Sequence, residues 1–190
     1  DVFFSIITKF GEETLFILLG LLFFWCVNKK QGYYILFIGF LGTVVNQFLK
    51  LWFRIPRPWV RDESFTIVES ARAEATGYSF PSGHTQSSVG LFGGVARVRK
   101  NIVVRIIMII ICLLVPFSRM YIGVHTPLDV LVAAGMAIIL LVVLKPIILG
   151  NTKSNMPVLL TVMSLLGIAY MCFIEFYTFP ADIDAHNLAS

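Results

Sequence analysis

The sequence predicts an all-α, polytopic membrane helix bundle with about six transmembrane helices. Of its 190 residues, 57% are hydrophobic and only 14% are charged. A soluble domain usually carries about 25% charged residues. The mean hydropathy of +0.84 therefore indicates that several faces of the chain contact lipid rather than water.

Six apolar segments, separated by polar or basic connections, give the helix count. They cover residues 14–27, 33–53, 84–98, 102–117, 128–144 and 157–177. A helix needs about 20 residues to cross the hydrocarbon core, so the first segment is short for a span. The third segment is rich in small residues, and its Gly90-x-x-x-Gly94 spacing favours close contact with another helix. Residues 1–13 mix aromatic and charged positions, which is typical of an interfacial segment or a short helix on the membrane.

The length is that of one domain. Residues 1–190 are predicted to form a single membrane-embedded domain with an extramembrane loop at 54–80. The chain has no initiator methionine and stops abruptly after an acidic tail at Ser190, so truncation at one or both ends is expected. Its three cysteines show no paired spacing and no neighbouring histidine, which predicts neither a disulfide framework nor a zinc site. They are Cys26, Cys112 and Cys172.

The distribution of basic residues predicts the orientation of the bundle. One end receives eight Lys and Arg residues and no acids, while the other receives the remaining seven of the 15 basic residues and all 11 acids. The orientation rule counts Lys and Arg in short loops and places the richer end in the cytoplasm. The acid-free end holds every short basic connecting loop and is predicted to be cytoplasmic. Its basic residues are Lys29, Lys30, Arg97, Arg99, Lys100, Arg105, Lys145 and Lys153.

The turn Pro81-Ser82-Gly83-His84 follows the most polar part of the sequence and precedes the third apolar segment. A helix start of this type presents free backbone N–H groups to an anion, and here it adds a hydroxyl and a titrating imidazole. Lys50 and Arg57 fall at the same end of the bundle. Singly, Lys50 is equally well explained as an interfacial anchor and Arg57 as a solvated loop charge.

A second polar segment at this end runs from Ser118 to Asp129. Thr126, Pro127 and Asp129 form the pattern of a capping box with proline at the first helical position. That pattern leaves Arg119 and His125 unexplained. Because Asp129 comes four residues after His125, its carboxylate can also take an imidazole N–H and fix the tautomer.

The three segments together supply cations, turn donors and two histidines, which is a set suited to phosphate chemistry. Guanidinium forks and ammonium groups bind phosphate. One histidine can serve as nucleophile and the other as acid for the leaving group. No cluster of carboxylates suited to metal ions is visible. Phosphoryl transfer without a metal or another cofactor is the reaction class that these residues predict.

These motifs resemble the three signatures of the type 2 phosphatidic acid phosphatase family, which includes lipid phosphate phosphatases and shares its site with vanadium haloperoxidases. All three motifs match fully and in order, and they cover residues 50–129. The matching motifs are Lys50-x6-Arg57-Pro58, Pro81-Ser82-Gly83-His84 and Ser118-Arg119-x5-His125-x3-Asp129.

The resemblance implies a role for each motif residue. His125 is expected to attack phosphorus and form a phosphohistidine, with Asp129 orienting it. His84 is expected to protonate the leaving alkoxide and later to activate water. The remaining motif residues are expected to hold the phosphate oxygens, namely Lys50, Arg57, Ser82, the Gly83 amide and Arg119.

The predicted function is that of an integral membrane phosphatase acting on a lipid phosphate or pyrophosphate, with the bilayer as its surroundings and no nucleic-acid partner. Phosphatidate, phosphatidylglycerol phosphate and polyprenyl pyrophosphate are candidate substrates, and the substrate and the oligomeric state stay open. The predicted location is the cytoplasmic membrane of a bacterium, with the site on its extracytoplasmic face. The alternative is a non-catalytic lipid-phosphate binding or transport protein on the same scaffold. The apolar segments disfavour a soluble haloperoxidase.

Two further polar residues, Asn46 and Gln47, fall within the second apolar segment. Polar residues at such positions are candidates for function. Their alternative role is hydrogen bonding between helices, which is the role expected for them here.

Overall fold

The computed structural model describes residues 2–62, 64–72, 75, 77–150 and 155–177. Within these ranges the regular structure is helical, which confirms the predicted all-α membrane bundle. Lys153 and the acidic tail lie outside the described residues. The helices are α1 (Val2–Thr8), α2 (Glu13–Leu22), α3 (Lys29–Phe53), α4 (Pro58–Arg61), α5 (Glu69–Arg72), α6 (Gly83–Val98), α7 (Ile102–Tyr121), α8 (Pro127–Leu149) and α9 (Asn155–Phe176).

Four stretches of the described chain are long and apolar enough to cross a membrane, and they contain α3, α7, α8 and most of α9. The first predicted span is instead part of a bent pair, Val2–Gly11 and Glu13–Val27, with an angle of 52° between the two halves. This pair contains α1, a 3₁₀ turn at Lys9–Gly11, α2 and a π-helical turn at Phe23–Val27. Counting it as one span raises the number of spans to five.

The third predicted span is α6, which is 16 residues long and lies at the centre of the bundle. It packs against α3, α7 and α8. Thr85, Gln86 and Ser88 are buried on it. Because its neighbours shield this helix from lipid, its side chains need not be as apolar as those of a lipid-facing span. The predicted close approach is present at Gly90, where a Cβ would lie 3.0 Å from Cγ2 of Ile38 in α3.

The outer helices carry the large exposed apolar side chains of the bundle. Leu113 on α7, Leu131 on α8 and Leu165 on α9 are each at least 60% exposed. Extended apolar surface of this kind on a soluble monomer would be unusual. It gives the bundle a lipid-facing surface and leaves the polar side chains to the centre and to one end.

That end, which we call the loop end, contains the 54–82 connection, the 122–126 connection and the start of α2. α3 and α7 run toward it, whereas α2, α6 and α8 run away from it, since consecutive packed helices alternate in direction. α1 packs against α7, with the Phe4 ring 4.2 Å from the Tyr121 ring between centroids. The three predicted motifs therefore meet at the loop end.

Candidate active site

The last turn of α3 and the residues after it provide two buried cations. Lys50 is 8% exposed and lies one turn before Arg54, where the chain adopts the left-handed conformation (φ 48°) that ends the helix. Arg57 is 6% exposed. Its Nε donates to the Gly77 carbonyl at 3.1 Å, and its Nη1 donates to the Val124 carbonyl at 3.1 Å. These two hydrogen bonds hold the guanidinium between the two connections of the loop end.

The Pro-Ser-Gly-His turn forms the start of α6, as its sequence predicts. Ser82 is the N-cap, and its Oγ accepts a hydrogen bond from the Thr85 N–H at 3.4 Å. Gly83 and His84 follow as the first residues of the helix and border the cavity described below. Ser82 is fully buried and does not border that cavity.

Arg119 extends into the same region from the last turn of α7. This helix ends at Tyr121, four residues beyond the end of the segment predicted at 102–117. It is 3% exposed. Its Nη1 donates to Oγ1 of Thr8 at 2.8 Å. The N-terminal segment therefore fixes one branch of this guanidinium.

His125 and Asp129 occupy the connection between α7 and α8 and the first turn of α8. The capping box is confirmed, because the Thr126 N–H donates to Oδ2 of Asp129 at 2.8 Å and the Asp129 N–H donates to Oγ1 of Thr126 at 3.4 Å. The same Oδ2 lies 3.5 Å from Nδ1 of His125. On the other side of the ring, Nε2 lies 3.0 Å from Nη1 of Arg57. With Arg57 donating to Nε2, the ring proton is on Nδ1 and faces the carboxylate.

A cavity of about 380 Å³ brings these side chains together. Lys50 lies close enough to Arg57 and to Arg119 to be repelled by both. The same three cations and His125 disfavour a positive charge on His84. Three buried cations around one cavity favour an anion there, and they outnumber the two carboxylates, Glu12 and Glu13, that also border it. The motif residues that border it are Lys50, Arg57, Gly83, His84, Arg119 and His125.

The electrostatics of the cavity favour a neutral imidazole at His125. Burial lowers the pKa of His125 well below its usual 6.5, the nearby Asp129 carboxylate opposes this effect, and the cations Arg57, Arg119 and Lys50 lower the pKa further. A neutral ring keeps a lone pair on one nitrogen, as a nucleophile requires.

Two contacts of the site come from residues that the motifs do not include. Thr8 is 4% exposed and accepts from Arg119, as described above. Gly11 borders the cavity, and a Cβ there would lie 2.8 Å from Cβ of His84. The sequence carries no signal for the roles of Thr8 and Gly11, because these roles depend on how α1 and the 3₁₀ turn after it pack against α6 and α7.

Ser79 is a further contact that sequence reasoning missed. It is 1% exposed, and its Oγ donates to Oδ2 of Asp129 at 2.5 Å across 50 residues of sequence. Its position directly before the predicted turn was the available signal. Asp129 thus receives hydrogen bonds from both connections at the loop end.

Replacing Ser79 by alanine is expected to lower the free energy of unfolding by about 1.5–3 kcal/mol, because a buried carboxylate loses a donor. Ser64→Ala is the matched control, since the Ser64 hydroxyl donates to the exposed Asp62 at 2.6 Å. The control is expected to stay within about 0.5 kcal/mol of the parent protein. Thermal unfolding in detergent measures both variants. Equal effects in the two variants would contradict the importance of the Ser79–Asp129 contact.

Together, the fold and the site define a class of protein: a polytopic membrane helix bundle with a cavity bordered by three buried cations and two histidines. The sequence pattern of the PAP2 superfamily matches residues 31–153, which is more than half of the chain. The chain belongs to the PAP2 superfamily, and the family resemblance seen in the motifs is confirmed.

Two curated proteins are similar to this chain. Undecaprenyl-diphosphatase BcrC of Bacillus subtilis (strain 168) is 34% identical over 113 residues, which cover 60% of this chain and 55% of that protein. A probable sphingosine-1-phosphate phosphatase of Dictyostelium discoideum is 28% identical over 151 residues, which cover 73% of this chain and 36% of that protein. The matched regions thus span about half or less of each relative. No solved structure matches the chain with significance.

Proposed function

We propose that the protein is a metal-independent integral membrane phosphatase that hydrolyses the phosphate or pyrophosphate end of a lipid. The observation that carries this proposal is the meeting of three buried cations and two histidines at one cavity at the loop end. The superfamily membership and the phosphatase names of the two relatives support it.

The cations bind the transferred phosphoryl group. Lys50, Arg57 and Arg119 neutralise its oxygens, and the guanidinium groups add directional donors. The Gly83 amide, at the open start of α6, is a further donor. The Ser82 hydroxyl contributes to the same turn while it caps the helix. Such preorganised donors, each worth about 3–4 kcal/mol in known oxyanion sites, are the main source of the rate increase.

In the first step, Nε2 of His125 attacks phosphorus. A bond forms between this nitrogen and phosphorus, and the bond between phosphorus and the leaving oxygen breaks. The bound phosphate offsets the charge of the nearby cations and lets His84 carry a proton. His84 donates this proton to the leaving oxygen, so the lipid leaves as an alcohol or as a lipid phosphate. In the free protein Nε2 is in contact with Arg57. The incoming phosphate accepts the hydrogen bond of Arg57 in its place, which frees the lone pair on Nε2 for attack. Asp129 stabilises the ring as it becomes positively charged.

In the second step, water attacks the phosphohistidine. His84, now neutral, accepts a proton from the water as its oxygen bonds to phosphorus. The bond between phosphorus and Nε2 breaks, inorganic phosphate leaves, and His125 returns to its neutral form. The two histidines thus alternate as nucleophile and proton carrier without a further reactant.

The lipid substrate presents its headgroup to the loop end while its chains stay in the bilayer. This geometry and the basic residues at the opposite end support a site on the extracytoplasmic face of a bacterial cytoplasmic membrane. The test is phosphate release by the purified protein from a panel of lipid monophosphates and diphosphates in detergent. Binding of these lipids without any phosphate release would favour the non-catalytic alternative.

Removal of divalent cations is expected to leave phosphate release unchanged, since every group in the scheme belongs to the chain. Activity measured in excess EDTA should match activity before its addition. Re-addition of magnesium is the control for recovery. A strict magnesium requirement would contradict the metal-independent scheme.

A further inference from the structure

Two buried amides border the same cavity as the phosphate-binding cations. Asn46 of α3 is 2% exposed and Gln86 of α6 is 3% exposed. Nδ2 of Asn46 and both polar atoms of the Gln86 side chain have no hydrogen-bond partner among the described residues. The expected hydrogen bond to a neighbouring helix is therefore not made by the Asn46 amide nitrogen. Buried polar groups of this kind are satisfied by a partner in nearly all proteins, and both residues border the cavity.

The amides lie one helical turn further from the loop end than the cations do. Asn46 precedes Lys50 by four residues on α3, which corresponds to about 6 Å along the helix axis. Gln86 follows Gly83 by three residues on α6, which corresponds to about 4.5 Å. Because α3 runs toward the loop end and α6 runs away from it, the two displacements point in the same direction. The amides can thus contact atoms that are attached to a bound phosphate on its side away from the loop end.

A second cavity shows where the rest of a lipid substrate would lie. It has a volume of about 390 Å³ and shares Glu12 and Thr14 with the first cavity. Leu15 and Leu18 border it further along α2, which also runs away from the loop end. If the lipid chain lies along this second cavity and the phosphate is bound by the cations, the atoms that join them lie level with the two amides.

We propose that Asn46 and Gln86 bind the leaving group and favour substrates that carry oxygen atoms next to the scissile bond. This inference rests on the proposed phosphatase function. Amide groups offer donors and acceptors without added charge, so they suit the second phosphate of a lipid diphosphate as well as the ester and hydroxyl oxygens of a glycerol or sphingoid headgroup. A simple alkyl monophosphate has no such oxygen and gains nothing from them.

The test compares kcat/KM across leaving groups in the near-isosteric variants Asn46→Leu and Gln86→Met and in the double variant. Four substrates serve as probes: a prenyl diphosphate, the prenyl monophosphate of the same chain, a short-chain phosphatidate and an alkyl monophosphate of matched length. The variants are expected to lose about tenfold or more on the diphosphate, the phosphatidate or both, as for the loss of a hydrogen bond to a charged group. The loss on the two simple monophosphates should stay below about threefold.

Gln31→Met is the matched control, because Gln31 lies on the same helix at the opposite end and its Oε1 also lacks a partner among the described residues. A selective loss on the diphosphate assigns the amides to a second phosphate, and a selective loss on phosphatidate assigns them to the glycerol headgroup. Equal losses on all four substrates, or none, would overturn the proposal. Because each variant is judged by the ratio between substrates, a partly unfolded preparation does not alter the result. A parent protein inactive on the whole panel would instead overturn the phosphatase function itself.

Discussion

Replacing His125 by alanine is expected to abolish phosphate release while the protein remains folded. Removal of a nucleophile costs on the order of 10⁶-fold in a well-studied hydrolase, so a loss of at least about 10⁴-fold is expected here. The ring is 3% exposed and its replacement opens a small space beside the cavity. Phosphate release and thermal unfolding in the same detergent separate lost chemistry from lost structure.

His186→Ala is the control for the His125 variant, because it removes the remaining histidine of the chain, which belongs to none of the three motifs. Its activity should match that of the parent protein. Parent protein quenched in alkaline denaturant should carry a phosphoryl group that is stable to base and labile to acid, and the His125 variant should carry none. Activity that survives in the His125 variant would remove the proposed nucleophile.

The effect of replacing His84 by alanine is expected to depend on the leaving group. General acid catalysis contributes about 10²–10⁴-fold to the rate. Because an alkoxide is a poor leaving group without a proton, this full factor should be lost on alkyl phosphates. A nitrophenolate leaves without a proton, so the first step with p-nitrophenyl phosphate should be far less affected. The second step still lacks its base, so the phosphohistidine should accumulate. Its formation should be visible as an initial burst of released nitrophenolate.

Steady-state and rapid-mixing measurements on the two substrate types test this expectation. Ser87→Ala is a suitable comparison, because Ser87 lies three residues further on α6 and borders the same cavity but takes no part in the proposed scheme. Its effect on p-nitrophenyl phosphate should be small. An equal loss on alkyl and nitrophenyl phosphates in the His84 variant, with no burst, would contradict a proton-transfer role for this residue.

The fold class and most helix positions could be predicted because both follow from local composition. The segment predicted at 102–117 is α7 (Ile102–Tyr121), and the segment predicted at 33–53 is α3 (Lys29–Phe53). The segment predicted at 84–98 is α6 (Gly83–Val98), but its central place in the bundle was not predicted, since that place depends on the helices around it. The burial of Thr85, Gln86 and Ser88 shows this central position, which the small and polar residues of the segment do not reveal in the sequence.

The motif residues of the site were predictable for a different reason. Phosphate chemistry needs particular side chains, and cations, histidines and a Ser-Gly turn were visible at one end of the predicted bundle. The structure gathers six of these residues around one cavity and gives Ser82 a capping position behind it. The catalytic and binding roles of these residues remain predictions for the experiments above.

By itself, the sequence determined the membrane helix bundle, the end at which the polar motifs meet and the capping box at Thr126 and Asp129. The tertiary structure alone decided that Thr8 holds Arg119, that Ser79 bonds to Asp129, and that Asn46 and Gln86 border one cavity. The physical reason is the range of the interactions. Helix propensity, capping and hydropathy act over a few residues, whereas these contacts join segments up to 111 residues apart and exist only once the helices have packed.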